Sequence, residues 1–292
     1  MIIWLASYPK SGNTWVRNII DQIVNNDIKK KEEVFRDFTR IKRYPSKQFI
    51  SDLPKIPYRD SYSKDQKKSV IDHTVKNWES SQKEINKTKE INILKTHNML
   101  CKINLDNQNF SFTNEESSLG VVHIVRDPRN VVTSIKNHYS IETQEKCVEF
   151  LLDQLNWTGF KNHDTPQLLS SWKNHYNSWK KFPKNYFLIK YEDLLKDTEK
   201  EINRMINYLS KFFKIKISNT QINEIIENTS FENFSKQEKE GKFVESVKND
   251  KGDIKKFFYL GPKNDWKHYL SDQNRDIITN AFENEMKELG YL

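Results

Sequence analysis

The chain has 292 residues, 36% apolar and 30% charged, with a net charge of +8 and a mean hydropathy of −0.85. That length suffices for one large domain or two small ones, and no stretch approaches the roughly 20 apolar residues of a membrane span. The first apolar run is too short for a signal peptide, so a soluble cytoplasmic protein is expected. The basic excess favours anionic partners in general. Its lysines, from Lys29 to Lys31, Lys64 to Lys68, Lys83 to Lys89 and Lys251 to Lys256, are mixed with acidic residues and read mainly as solvated faces. No helix-turn-helix, zinc-finger or RNP pattern accompanies them, so nucleic acid is not an expected partner. Cys101 and Cys147 have no metal spacing and read as reduced thiols.

In chain order, strands alternate with helices. Ile2, Ile3, Trp4 and Leu5 form a short apolar run suited to a strand buried on both faces, and Trp15, Ile19, Ile20 and Ile23 follow at helical spacing. A polar, Pro-containing stretch runs from about Lys29 to Asp60, then a helical segment from Lys64 to Trp78. A second strand, Ile91 to Leu94, ends in Lys95-Thr96-His97; a third, Val121 to Val125, ends in Arg126-Asp127-Pro128, with Pro128 placed to open a helix. Helical patterns from Glu142 to Leu155 and from Leu168 to Lys181 precede a strand at Phe187 to Ile189, which ends in Lys190-Tyr191-Glu192-Asp193. The rest is mainly helical apart from a loop-like stretch from Lys239 to Asp265. This pattern predicts an α/β protein with a central parallel sheet flanked by helices, as a single domain over residues 1–292.

The junction Tyr8-Pro9-Lys10-Ser11-Gly12-Asn13-Thr14-Trp15 links the first strand to the first helix. There the first helical amides are unpaired and the helix dipole is positive, while Gly12 permits a close backbone approach. That makes an anion site with a lysine beside it. An ordinary connection capped by Ser11, Asn13 or Thr14 is the competing description. The Walker A pattern fails, because the lysine precedes the single glycine. Ligands of open α/β sheets bind at the carboxyl ends of strands. Four predicted strand ends here carry reactive groups: Lys10, then Lys95 and His97, then Arg126, then Tyr191.

These motifs, in this order, resemble the cytosolic-type sulfotransferases that use 3'-phosphoadenosine-5'-phosphosulfate (PAPS), over nearly the whole chain. Tyr8 to Trp15 is similar to their 5'-phosphosulfate loop, with Asn13 in place of a threonine. Lys95-Thr96-His97 resembles the strand end bearing their catalytic histidine, and Arg126 to Ser134 their 3'-phosphate segment. Trp172 to Trp179, Tyr191 to Leu194, Thr229-Ser230-Phe231 and Gly261 to Lys267 follow in the family's order.

The resemblance implies a P-loop-NTPase-like sulfotransferase fold, PAPS as donor and 3',5'-ADP (PAP) as product. It makes His97 the general base for an acceptor hydroxyl or amine, Lys10 the cation that stabilises the leaving phosphate, and Lys95 a contact of the transferring sulfuryl group. A sulfuryl group carries less negative charge than a phosphoryl dianion, so no metal is required. The cofactor residues carried over are Lys10, Ser11, Gly12, Asn13, Thr14, Trp15, Arg126, Ser134, Tyr191, Thr229, Phe231 and Gly261. The family's Arg-Lys pair before this glycine is absent; Tyr259-Leu260 stands there, and Lys255, Lys256 and Lys263 are the candidate substitutes. Trp15 has an equal claim to be core. Of the other histidines, His123 reads as packed within its strand and His138 as a residue of the acceptor mouth.

The expected acceptor is a small molecule or a carbohydrate, with Phe35, Phe38, Tyr44, Tyr139 and Trp157 as aromatics of its walls or of ordinary cores. A homodimer is left open. A P-loop-like kinase using Mg-ATP and a non-catalytic nucleotide or polyanion-binding module are the alternatives.

Overall fold

The computed structural model describes residues 1–36, 40–54, 62–160, 165–243, 245, 247–248 and 254–292, and only the main chain at 247, 248, 254 and 255. Phe38 and the side chain of Lys255 therefore lie outside what is described. The chain falls into two compact units. One comprises Met1–Tyr8, Lys42–His123 and Leu152–Leu188, the other Pro9–Ile41, Ile124–Leu151 and Ile189–Leu292.

The first unit is built on a sheet. Its strands are β1 (Ile2–Ser7), β2 (Lys42–Arg43), β3 (Asn92–Thr96), β6 (Ser118–Val125) and β9 (Tyr186–Lys190), in the order β2-β3-β1-β6-β9. Both β1 and β2 run parallel to β3, with Leu5 opposite Lys95 and Ala6 opposite Thr96. All six residues of β1 are buried, as a continuous apolar run in a parallel sheet requires. The α/β class with a central parallel sheet is thus as the alternation predicts. Two short pairs, β4 (Lys102–Leu105) with β5 (Gln108–Ser111) and β7 (Trp157–Thr158) with β8 (Gln167–Leu168), were not legible from periodicity. At the first, Asp106 and Asn107 both take positive φ, 51° and 63°, which is the two-residue turn that joins such strands.

The unit's helices are α2 (Lys64–Lys76), α3 (Trp78–Asn86) and α6 (Trp172–Lys180). The helix expected from Leu168 begins only at Trp172, because Leu168 belongs to β8 and Ser171 caps the helix through the Asn174 amide. An aromatic cluster forms the core. Trp4 packs on Tyr44, Phe112 and Trp179, with ring centroids 5.3, 5.2 and 6.3 Å away, and donates its indole N–H to Ser118 Oγ at 2.8 Å. Tyr44 is a core residue here, fully buried with its hydroxyl on the Trp78 carbonyl, so it is no wall of an acceptor site.

The second unit is helical. It contains α1 (Asn13–Asn25), α4 (Pro128–Tyr139), α5 (Gln144–Leu152), α7 (Tyr191–Lys196), α8 (Thr198–Leu209), α9 (Asn219–Asn228), α10 (Phe231–Lys239), a small pair β10 (Val247–Lys248) and β11 (Ile254–Lys255), α11 (Trp266–Tyr269), α12 (Asp272–Ala281) and α13 (Glu283–Leu289). Asp197, Ser218, Ser230 and Ser271 cap successive helices with their side chains. Lys29, expected in water, is instead buried with its ammonium 2.5 Å from Asp21. A buried charge survives only when paired, and this one is. Val34, Phe35, Phe234 and Phe243 form a compact cluster, with Trp15, Phe257 and Phe258 packed against it.

No helix among the described residues is long and apolar enough to cross a membrane. Removing the Trp4 side chain should expose how much the first unit rests on its aromatic core. Trp4→Ala is expected to lower stability by about 3–5 kcal/mol in guanidinium denaturation; a loss under about 1 kcal/mol would show that the cluster is not the core.

Candidate functional site

Residues predicted to act on a ligand gather into one group in each unit. In the second unit the group starts at the turn before α1. Lys10 has φ 66° and Gly12 φ 101°, so the chain reverses through two left-handed residues before the helix begins. A side chain at Gly12 would place its Cβ 2.7 Å from the Tyr191 ring, so only glycine fits. The amides of Asn13 and Thr14 open the helix and have no intrahelical carbonyl to meet, while Trp15 and Val16 already bond the Gly12 carbonyl.

Arg126 fastens this turn. Its Nη1 donates to the Lys10 carbonyl at 3.2 Å, and its guanidinium lies 4.0 Å from the Tyr191 ring centroid. Tyr191 also meets Trp15 edge-on at 5.8 Å, and the Trp15 indole N–H donates to Thr229 Oγ1 at 3.3 Å. Burial raises the Tyr191 phenol above its ordinary value, with the Arg126 charge opposing, so the ring is a neutral platform. Phe231 closes the far end of the group, its ring directly against Gly261, which takes φ 53°. The structure thus brings together Lys10, Gly12, Trp15, Arg126, Tyr191 and Thr229 in one chain of contacts, and Phe231 with Gly261. Trp15 packs on the phenylalanine cluster, as its core reading expects, and its indole is bonded to Thr229.

The remaining predicted residues stand less tightly held. Ser134 is half-buried on α4; Lys256 and Lys263 are exposed, the former with its carbonyl accepting from Asn137. His138 meets the Phe257 ring edge-on at 5.7 Å. The Lys10 ammonium lies 3.8 Å from the Phe257 centroid, a cation on an aromatic face. Two buried polar atoms in this group, Ser11 Oγ and Arg126 Nε, have no hydrogen-bond partner among the described residues. Buried donors left open beside a helix N-terminus suit a bound phosphate or sulfate. Arg129, by contrast, is spent: it grips Asp127 through 2.6 and 2.9 Å bonds and lies 4.1 Å from the Trp266 centroid.

In the first unit the group centres on His97, just past β3. Its Nδ1 is 2.7 Å from the Ser7 carbonyl, an atom that only accepts, so Nδ1 carries the proton and Nε2 keeps its lone pair. Burial pushes the imidazole well below its ordinary pKa of 6.5, the Lys95 charge adds to this, and the Ser7 carbonyl works in the opposite direction. His97 is therefore a neutral base at working pH. Lys95, two residues earlier, is half-buried. Sequence reasoning missed two neighbours of this histidine, Gln167 and His175, although His175 lies inside the Trp172 to Trp179 motif. His123 is fully buried, its Nδ1 2.9 Å from the Tyr186 hydroxyl.

Two surface cavities, of about 490 and 430 Å³, contain none of the candidate residues; Met99, Cys101 and Asn177 line one, Lys136, Tyr259 and Tyr269 the other. Both cysteines are free. Among the described residues no His, Cys, Asp and Glu cluster is arranged to hold a metal ion.

Comparison with known proteins places these features in a family. Sulfotransferase 1E1 of Bos taurus is 25% identical over 290 residues, covering 97% of this chain and 82% of that protein. Flavonol 4'-sulfotransferase of Flaveria chlorifolia is 24% identical, covering 99% and 80%. Among solved structures, retinol dehydratase in complex with retinol and PAP superposes with a TM-score of 0.61 at 18% identity, covering 98% of this chain and 81% of that one. Mouse sulfotransferase SULT7A1 with PAP gives 0.53 at 18% identity, covering 98% and 84%. At such identities the structures speak for the fold. The sequence model of the sulfotransferase domain matches residues 2–290, and the chain accordingly belongs to the sulfotransferase family and is an enzyme of that class.

Proposed function

We propose that residues 1–292 act as one sulfotransferase domain, moving a sulfuryl group from PAPS to the hydroxyl or amine of a small-molecule acceptor in the cytoplasm. The observation that carries this is the left-handed Lys10–Gly12 turn at the start of α1, pinned by Arg126 and holding a buried Ser11 hydroxyl that has no hydrogen-bond partner among the described residues. Lys10, Ser11 and the amides of Asn13 and Thr14 bind the 5'-phosphosulfate, and Trp15, Tyr191, Thr229 and Phe231 bind the adenosine. Arg126 and Ser134 take the 3'-phosphate, aided by Lys256, Lys263 or Lys255 in place of the missing Arg-Lys pair.

His97 Nε2 removes the proton of the acceptor as its oxygen or nitrogen bonds to sulfur. The sulfur–oxygen bond to the nucleotide breaks with its electron pair on the phosphate oxygen, where Lys10 meets the growing charge. Lys95 steadies the sulfuryl oxygens. Relatives named for a flavonol, and solved neighbours holding retinol or androsterone, favour a ring-bearing phenol or alcohol as acceptor. Radiolabelled PAPS offered with 4-nitrophenol, a flavonol, retinol, androsterone and an aromatic amine tests the class. Transfer to none of them, with no stabilisation by 3',5'-ADP, would sink it.

Arg126→Ala should weaken 3',5'-ADP about ten- to a hundredfold while changing 5'-AMP much less, because a charge-assisted contact to the extra phosphate is worth roughly 1.5–3 kcal/mol. Calorimetric titration at fixed salt reads this directly. Equal losses for the two nucleotides would remove Arg126 from the 3'-phosphate.

His97→Ala is expected to lower turnover about 10²- to 10⁴-fold and leave 3',5'-ADP affinity unchanged. In the parent enzyme the lowered His97 pKa keeps the base form present on the acid side of neutrality. With an alcohol acceptor, kcat/KM should therefore stay level from about pH 8 down to about pH 6 and fall only at lower pH. A half-point near the ordinary histidine value would show that desolvation does not depress His97 in this way.

A further inference from the structure

A residue at the end of a parallel strand ordinarily passes its main-chain groups to neighbouring main chain. His97 does not. Its N–H donates to Gln167 Oε1 at 2.8 Å, and its carbonyl accepts from the ring of His175. Gln167 comes from β8 and His175 from α6, so two side chains from distant segments clamp the backbone of one histidine. Both are buried, at 3% and 1% exposure.

The clamp acts together with the Ser7 carbonyl on Nδ1. A 2.7 Å bond to a fixed strand atom forms only when the His97 Cα lies within a few tenths of an ångström of its place. Holding the N–H and the C=O fixes that position, and the bond to Ser7 then sets the tautomer. We propose that Gln167 and His175 are positioning residues for His97, keeping its Nε2 aimed and unprotonated. This rests on His97 being the base.

His175 is suited to the task. Burial takes its imidazole down to about 3, so it stays a neutral donor throughout the working range. Its ring stands edge-on to Tyr8 at 5.6 Å, and its own carbonyl accepts from Ser178. Its Nε2 is buried without a hydrogen-bond partner among the described residues. A core selected for stability alone would satisfy that nitrogen or dispense with it, since an open buried polar atom is destabilising. The charged and titratable groups acting on His97 are Lys95, Arg43 and His175 itself; neither substitution at Gln167 to a neutral residue nor loss of neutral His175 removes a charge.

Four single variants test the proposal. Gln167→Met and His175→Phe abolish a bond at nearly constant volume, whereas Gln167→Glu and His175→Asn return an acceptor or donor to the same place. The readouts are kcat and acceptor KM with the best acceptor of the panel above, 3',5'-ADP affinity by calorimetry, and the His97 tautomer from imidazole ¹⁵N chemical shifts. Misplacing a reacting group by about 1 Å costs on the order of 10²-fold. Gln167→Met and His175→Phe should accordingly lower kcat about 10- to 100-fold, with acceptor KM and 3',5'-ADP affinity unchanged, and mix the two His97 tautomers. Gln167→Glu and His175→Asn should recover most of the rate and the single tautomer.

Parent-like kcat and tautomer in Gln167→Met and His175→Phe would overturn the proposal, as would equal losses in all four variants. If His175→Phe does not fold, the contrast between Gln167→Met and Gln167→Glu makes the same decision. Should His97→Ala retain turnover, the base assignment fails by that result, and the tautomer shifts still decide whether the clamp exists.

Discussion

One guanidinium sets the geometry of the turn that opens α1. Arg126 reaches the Lys10 carbonyl and lies 4.0 Å from the Tyr191 ring centroid, and that ring fills the space a side chain at Gly12 would need. Each contact constrains the next. The carbonyl bond stabilises a lysine in left-handed backbone, which costs an ordinary residue about 1 kcal/mol or more, and the ring forbids any residue but glycine two positions later. The loop therefore presents its amides in one conformation before a ligand arrives, and a preorganised donor set loses little entropy on binding.

Charge is divided between the two groups. The Lys10 loop carries a lysine, the Arg126 guanidinium and the opening helix amides, whereas desolvation holds half-buried His97 and buried His123 and His175 neutral. A base must be unprotonated to act, and an electrostatic stabiliser must be charged. Burial serves the first need and helix polarity with lysine the second. Acidic groups near Arg126 and Tyr191 are kept occupied: Asp127 is held by Arg129, and Glu192 accepts from the Asp127 amide at 3.0 Å and from the Tyr291 hydroxyl at 2.9 Å. Desolvation raises the Glu192 carboxyl above its ordinary value, which further limits negative charge beside an anion site.

The strands and their polar ends were legible because continuous apolar runs such as Ile2 to Leu5 and Val121 to Val125 stand out against a hydrophilic chain. The Lys10 loop, Arg126 and Tyr191 were legible for the same reason, each following directly on such a run. Gln167 and His175 were not, since what singles them out is bonds to the main chain of a residue some 70 positions away, and neither residue type nor spacing reports that. Lys29 was misjudged as solvated because its partner Asp21 sits on α1, eight residues earlier and outside the lysine run. The strands β4 and β5 escaped notice because their sequence is polar and half-exposed, leaving only the Asp106-Asn107 turn as a signal.

The contact between Gly261 and Phe231 has a consequence for how this stretch can drift in evolution. No side chain can be accommodated at 261, in a left-handed turn pressed on an aromatic ring, so that position is closed to substitution. Tyr259, just before it, and Pro262 and Lys263, just after, are exposed and bear no such restriction. Rigid backbone beside permissive side chains leaves the charge at 259, 262 and 263 open to change while the Phe231 ring stays against Gly261. The result is a surface stretch whose charge pattern can be rewritten without rebuilding the loop that carries it.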